Sequence, residues 1–294
     1  MQSDVFALPI EYQQKQPACG AHAGDFYTEI LRGGHYSPRF TWANIKTFDG
    51  YPVDSGTDMR SIFKSLQKTG ALPFDLLGND ASLSEYSYAY PDITPGMTAA
   101  AGLHKIDAYA FLNDLSWDGL RQAIYQNKGV LLLVEIGAEW WTAKNGQTSW
   151  AEADILPLRA PMAPVGGHFI VAHSYDENYI YFENHWSTAW GRQGHGYFDQ
   201  SYLPFVREAG TAVVLPFNHD LHLGMTDPDV EKLQAILNRD PRTQVAHGGA
   251  GSPGHETTYF GALTEAAVVK YQQLHNIPHT GYVGPLTRAS LTSA

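Results

Sequence analysis

The chain holds a single cysteine, Cys19, among 294 residues. That excludes an internal disulfide framework and any cysteine-rich metal site. No apolar run approaches the roughly 18 residues that a spanning helix needs. The best stretch, Gly129 to Val134, is stopped at once by Glu135 and reads as a buried strand. Charged residues make up only 17% of the chain, and no block of five or six like charges occurs. Cations are the scarcer sign: the net charge is −11, and residues 222–294 carry only −1 of it. A chain this acidic repels phosphate backbones and anionic lipid, so nucleic acid and membrane are set aside as partners. The opening Met1-Gln-Ser-Asp-Val-Phe6 has neither a charged nor an apolar leader region, so no signal peptide is visible.

What is present suits a globular protein. Apolar residues reach 44%, and the length is comfortable for two domains. Ala23, Phe26, Ile30 and Leu31 are spaced to line one face of a helix that begins near Cys19 and stops at Gly33-Gly34. Ser37-Pro38 restarts the chain, and Met59, Ile62, Phe63 and Leu66 predict a further amphipathic helix ending near Gly70. Residues 73–101, rich in Pro, Asp, Ser and Tyr, read as a long surface excursion. From Gly129 the period changes. Gly129–Ile136, Phe169–Ser174, Tyr179–Phe182, Gly196–Phe198 and Thr211–Phe217 are short, aromatic or β-branched, and predict strands. Helices first and strands second argue for an α+β domain of two lobes.

Asn218 to Pro228 reads as a linker, after which Val230, Leu233, Ile236 and Leu237 mark a new helix that Asp227 or Asp229 would open. Beyond a glycine-rich loop a six-residue pattern occurs twice, Tyr259-Phe-Gly-Ala-Leu-Thr264 and Tyr282-Val-Gly-Pro-Leu-Thr287. Each copy ends in a Thr placed to cap a helix, which predicts a compact helical module built from a duplicated unit.

A lone cysteine is more often an inert packing residue than a nucleophile. Cys19, however, stands just before a predicted helix, whose unpaired N–H groups and dipole stabilise a thiolate. A pKa well below the ordinary thiol value is therefore expected. Among thirteen histidines, His168 follows Gly166-Gly167 and begins a strand that fixes its backbone. Asn184 ends the next strand sixteen residues on, so a hairpin would bring its amide beside the imidazole. A nucleophile, a base and an orienting group then occur in order.

These segments resemble the papain family of cysteine peptidases. Asn184-His-Trp-Ser-Thr-Ala-Trp-Gly191 with Gly194-His-Gly-Tyr-Phe198 is similar to that family's Asn-Ser-Trp-Gly block, and Gly167-His168 to its Gly-His strand. The separation of Cys19 from His168 and Asn184 agrees with the family's roughly 130–150 residues. The resemblance implies that His168 is the base, Asn184 its orienter, and Trp186 the shield of their hydrogen bond. Two registers are possible at the N-terminus. One lays Cys19-Gly-Ala-His22 on the family's Cys-Gly-Ser-Cys, making Gln16 the oxyanion glutamine, putting His22 at the nucleophile position and leaving the protein inactive. The preferred register makes Cys19 the nucleophile and places Gln13, six residues earlier, in the oxyanion hole. Ser55-Gly56-Thr57 falls where the family pairs with substrate backbone, beside Gly167; an ordinary turn capping the next helix explains it equally well. About a dozen residues before Gln13 are too few for an inhibitory pro-segment of the family's usual kind.

Residues 227–294 resemble the peptidoglycan-binding domain of bacterial and phage wall enzymes, through Val230-Glu-Lys-Leu-Gln-Ala-Ile-Leu-Asn238, Val269-Lys-Tyr-Gln272 and both copies of the repeat. The two resemblances imply a papain-like fold over residues 1–221, with an N-terminal helical lobe and a C-terminal β-barrel-like lobe. A small all-α domain over residues 222–294 completes the chain. They imply a monomer acting on a protein or peptide substrate, with peptidoglycan as a partner of the C-terminal domain and no metal or organic cofactor. The setting they imply is extracellular, cell-wall or phage-associated. Two rivals stand beside this reading: a peptidoglycan stem-peptide hydrolase or acyl transferase using the same residues, and a catalytically inactive wall-binding protein.

Overall fold

The computed structural model describes residues 5, 7–138, 140, 163–214 and 219–291. The chain forms two compact units, Met1–Val213 and Val214–Ala294.

The first unit opens with three helices: α1 (Cys19–Arg32), α2 (Pro38–Lys46) and α3 (Met59–Lys68). Ser37 caps α2 through the Phe40 N–H, and Asp58 caps α3 through the Ser61 N–H, satisfying donors that a helix start leaves free. The expected excursion over 73–101 contains a 3-10 turn (Phe74–Leu76) and two short helices, α4 (Glu85–Ala89) and α5 (Pro95–Ala101).

The strands make one six-stranded antiparallel sheet among the described residues. They are β1 (Ala108–Phe111), β2 (Val130–Gly137), β3 (Pro164–Tyr175), β4 (Ile180–Glu183), β5 (His195–Phe198) and β6 (Val206–Val213), ordered β1-β6-β2-β3-β4-β5. The last predicted strand begins earlier than its pattern suggests, at Val206, and its end at Phe217 lies outside the described residues. β1 and helix α6 (Trp117–Asn127) escape the sequence reading. β1 is a four-residue edge strand with no buried residue, so it carries little pattern.

In β2 and β3 the pairs Leu132↔Ile170 and Val130↔Ala172 turn to one face, where Leu120 and Ile124 of α6 cover them. Alternate residues turn the other way, where α1 packs on β3 and the Tyr27 hydroxyl donates to the Gly129 carbonyl at 2.8 Å. On β6, a Cβ at Gly210 would lie 2.5 Å from the Phe63 ring, so glycine lets α3 approach the sheet.

The second unit is helical: α7 (Pro228–Leu237), α8 (Ala262–Leu274) and α9 (Pro285–Leu291). Leu221, placed by sequence at the end of the first domain and within a linker, is fully buried in this unit's core and bridges Val283. Asp227 caps α7 through the Asp229 N–H. The two repeat threonines do not cap. Thr264 and Thr287 are buried inside their helices and accept hydrogen bonds from Gln234 Nε2 and Gln272 Nε2, each at 2.9 Å. The same amides donate to the Tyr259 and Tyr282 carbonyls, at 3.2 and 2.9 Å. The duplication is thus structural: in each copy, one buried glutamine ties a helix to the Tyr and Thr of a six-residue turn.

Candidate active site

Cys19 is the first residue of α1, and its N-cap, Ala18, offers no side chain to the helix N–H groups. Small residues follow because the helix start is tightly packed: a Cβ on Gly20 would lie 2.9 Å from the Thr57 methyl and 2.7 Å from Ile62. Cys19 is half-buried and lines a cleft of about 690 Å³ together with Gln13, Gln16, Gly56, Gly167, His168 and Trp186.

His168 stands opposite Val134 in the β2–β3 ladder and is buried. Its Nε2 lies 2.9 Å from Asn184 Oδ1. With a carbonyl oxygen as acceptor, Nε2 carries the proton, and the neutral ring leaves the Nδ1 lone pair free. Asn184 is itself fixed: its N–H donates to the Gly194 carbonyl at 2.7 Å. Gly194 has φ +89°, and a Cβ there would lie 2.5 Å from Ile10, so this turn needs glycine. Trp186 tilts against the His168 ring at 4.9 Å, and Trp140, which sequence reasoning missed, meets the same ring edge-on at 5.9 Å.

Gln13 is anchored from both ends. Its N–H donates to the His185 carbonyl, its Oε1 accepts from Trp186 Nε1 at 3.2 Å, and its Nε2 donates to the Gln16 carbonyl at 2.6 Å. Gln16 directs its own amide to the Ala81 and Leu83 carbonyls. His22 is buried away from the cleft lining. Of the proposed substrate loop, Gly56 lines the cleft, whereas Ser55 and Thr57 do not. Thr57 donates to Asp49 instead, and the cap of α3 is Asp58.

Behind His168 lies a group of ionisable side chains that the motif reading did not single out. His185 faces His168 at 5.0 Å and stacks on His22 at 5.1 Å. His185 Nδ1 lies 3.7 Å from Glu183 Oε2, and His22, His185, Asp25, Glu29 and Glu183 all line a small void of about 10 Å³. Burial pushes the Asp25 carboxyl up to about 8, against a hydrogen bond from Thr41. It pushes Glu29 up to about 9 and Glu183 well above the carboxylate range. Burial also holds His185 down to about 3 and His22 well below the imidazole range. All five side chains are therefore neutral at neutral pH.

Burial acts on the nucleophile and the base as well. Burial raises the Cys19 thiol above its ordinary value, outweighing hydrogen bonds from the backbone at Phe169, Gly20 and Cys19 itself. His168 is pushed down to about 3 by burial and by neighbouring His185, against its bond to Asn184. The helix start still favours a thiolate.

Solved structures place this architecture. Xylellain, a cysteine protease from Xylella fastidiosa, superposes with a TM-score of 0.59 at 18% identity over 73% of this chain and 90% of its own. The Carica candamarcensis cysteine protease CMS1MS2 in complex with E-64 gives 0.54 at 15% identity, over 70% of this chain and 92% of its own. The bromelain protease from Ananas comosus gives 0.52 at 14%, over 70% and 94%. The first unit has the papain-like fold. In the papain-like unit, Cys19 therefore opens the first helix and His168 stands on the sheet. Residues 226–291 match the family model described as a putative peptidoglycan binding domain. No curated protein matches the chain.

No helix among the described residues is long and apolar enough to cross a membrane. Among those residues, His219, Asp227 and Asp229 alone bring three ligand-type atoms within 4.8 Å of one another. Asp227 there caps α7, Asp229 pairs with Lys232 at 2.7 Å, and His219 lies 3.2 and 3.8 Å from the two carboxylates.

Proposed function

We propose that the papain-like unit is a cysteine peptidase in which Cys19 is the nucleophile, His168 the base and Asn184 its orienter. The observation that carries this reading is the 2.9 Å contact of Asn184 with His168, which lines the same cleft as Cys19. As Cys19 Sγ attacks a peptide carbonyl, its proton passes to His168 Nδ1, and the negative charge moves to the carbonyl oxygen. That oxyanion accepts hydrogen bonds from the Cys19 N–H and from the second Nε2 hydrogen of Gln13, the first being held by the Gln16 carbonyl. His168 then gives its proton to the leaving amine, and water, deprotonated by the same nitrogen, releases the acyl group. Trp186 and Trp140 keep water from the His168–Asn184 bond.

The second unit holds this enzyme at peptidoglycan, which places its work outside the cell, at the wall, or on a phage. The match of residues 226–291 favours one variant of the reading, in which the same residues cleave or transfer wall stem peptides. Assays on soluble peptides and on purified sacculi test both. Cys19→Ala is expected to abolish cleavage of either substrate, whereas His22→Ala retains it. Activity that survives Cys19→Ala and is lost in His22→Ala sinks the proposal.

A further inference from the structure

One buried cation lies beside the cleft without entering the proposed chemistry. Lys46, at the end of α2, has a fully buried side chain, as does its partner Asp49. Its Nζ donates to Asp49 Oδ2 at 3.0 Å and reaches the carbonyls of Pro52, Ser55 and Gly56 at 3.2, 3.2 and 2.9 Å. It also stands 4.2 Å over the Trp42 ring. Asp49 holds the same segment from the other side, accepting from the Tyr51 N–H at 3.1 Å and the Thr57 hydroxyl at 2.9 Å.

The segment so held has little else to order it. Residues 50–57 form no helix or strand, and none of them is buried. An ammonium with several carbonyl acceptors can fix such a loop where no apolar core exists, because the buried Lys46 and Asp49 charges would lose hydrogen-bond partners if the loop moved away. The loop ends against the active-site helix, with the Thr57 methyl packed on Gly20, next to Cys19.

We infer that Lys46 is a positioning residue that fixes the 50–57 loop as one wall of the cleft and so sets how an extended peptide binds there. The inference rests on the peptidase reading. Gly56 is the loop residue that lines the cleft, and no side chain stands within 4 Å of where its Cβ would be, so a peptide backbone can approach it closely. Its carbonyl is turned to Lys46, which leaves its N–H to receive a substrate carbonyl. A single backbone hydrogen bond recognises an extended peptide irrespective of its side chains.

The test uses the full chain. In Lys46→Met, KM for a fluorogenic peptide with several residues before the scissile bond is expected to rise about tenfold, the size of one lost hydrogen bond, with kcat changed far less. Alkylation of Cys19 by iodoacetamide, which needs no wall, keeps its rate. Amide exchange over residues 50–57 speeds up while that of α1 does not. Should Lys46→Met fail to fold, Asp49→Asn, which keeps the side-chain volume, is expected to give the same KM increase and the same loop exchange at smaller amplitude. Unchanged loop exchange in a folded variant overturns the inference, as does an unchanged KM. Equal losses in kcat and iodoacetamide reactivity would also overturn it, by giving Lys46 a merely structural role. A wild type that neither cleaves peptides nor reacts at Cys19 overturns the peptidase reading itself.

Discussion

Both units bury amides and hydroxyls, but among the described residues only the first also buries carboxyls and imidazoles. The papain-like unit encloses His22, Asp25, Glu29, His168, His173, Glu183, His185 and His195, all ionisable. The second unit, among its described residues, buries Gln234, Thr243, Ser252, Thr264, Gln272 and Thr287, and no carboxylate or histidine. Amides and hydroxyls that find partners hold a core together at any pH. Buried acids and imidazoles do so only while they stay neutral, so the site that needs a tuned base sits in a core that pH can open.

The largest expected effect is therefore a pH dependence of stability confined to the first unit. Its carboxyls Asp25 and Glu29 titrate near 8 and 9 when folded, above their unfolded values near 4. The folded state keeps protons that the unfolded state has lost, so stability falls as pH rises, until those folded values are passed. The histidines behave oppositely. His168 and His185 titrate near 3, and His195 near 4, below the unfolded 6.5. The unfolded state then binds protons the folded state refuses, and stability falls as pH drops below about 6.5. The two arms meet in a maximum near about pH 6, with losses on the order of several kcal/mol by about pH 3 and pH 9. All seven Trp lie before residue 213, so denaturation followed by Trp fluorescence reports this unit alone. Asp25→Asn is expected to make the alkaline arm shallower, since Glu29 and Glu183 still contribute to it, and to leave the acid arm in place. A profile level from pH 4 to 9 would break the comparison.

A smaller effect, and one independent of pH, is expected in the second unit. Gln272 accepts from the Gly281 N–H at 2.9 Å while donating to Tyr282 and Thr287, and all of this is lost in Gln272→Ala. A cost of about 2–4 kcal/mol is expected, since buried partners are left unsatisfied. Amide exchange over residues 281–287, compared at pH 5 and pH 8 after correction for intrinsic rates, checks both the size and the absence of a pH term.

The sequence exposes the backbone of the site better than its surroundings. Cys19, His168 and Asn184 are legible because each sits at a change of pattern: the start of an apolar helix, a glycine pair before an apolar run, the end of the next strand. The strand of His168 itself begins earlier than expected, at Pro164, with both glycines paired inside it. The buried cluster was hidden by the assumption that one face of α1 meets solvent. Ala23 and Phe26 are buried as their spacing predicts, but Gly20 to Glu29 are buried all round. His22, Asp25 and Glu29 thus read as a polar outer face when they are an inner one. Periodicity finds apolar stripes and is blind to polar stripes that are also covered. Lys46 was missed in the same way, since a basic residue at a helix end looks like an ordinary dipole partner. Thr264 and Thr287 were assigned a local role as caps because their long-range partners, Gln234 and Gln272, lie 30 and 15 residues away.

The central claim is that Cys19 acts as a nucleophile assisted by His168, and intact mass measured over time with a peptidyl epoxide tests it most directly. The wild type is expected to gain one inhibitor mass, on Cys19, and His168→Ala to be labelled slower by about 10² or more, because the thiol must give up its proton to react. Equal labelling rates in the two proteins, or no labelling of the wild type, would contradict the account.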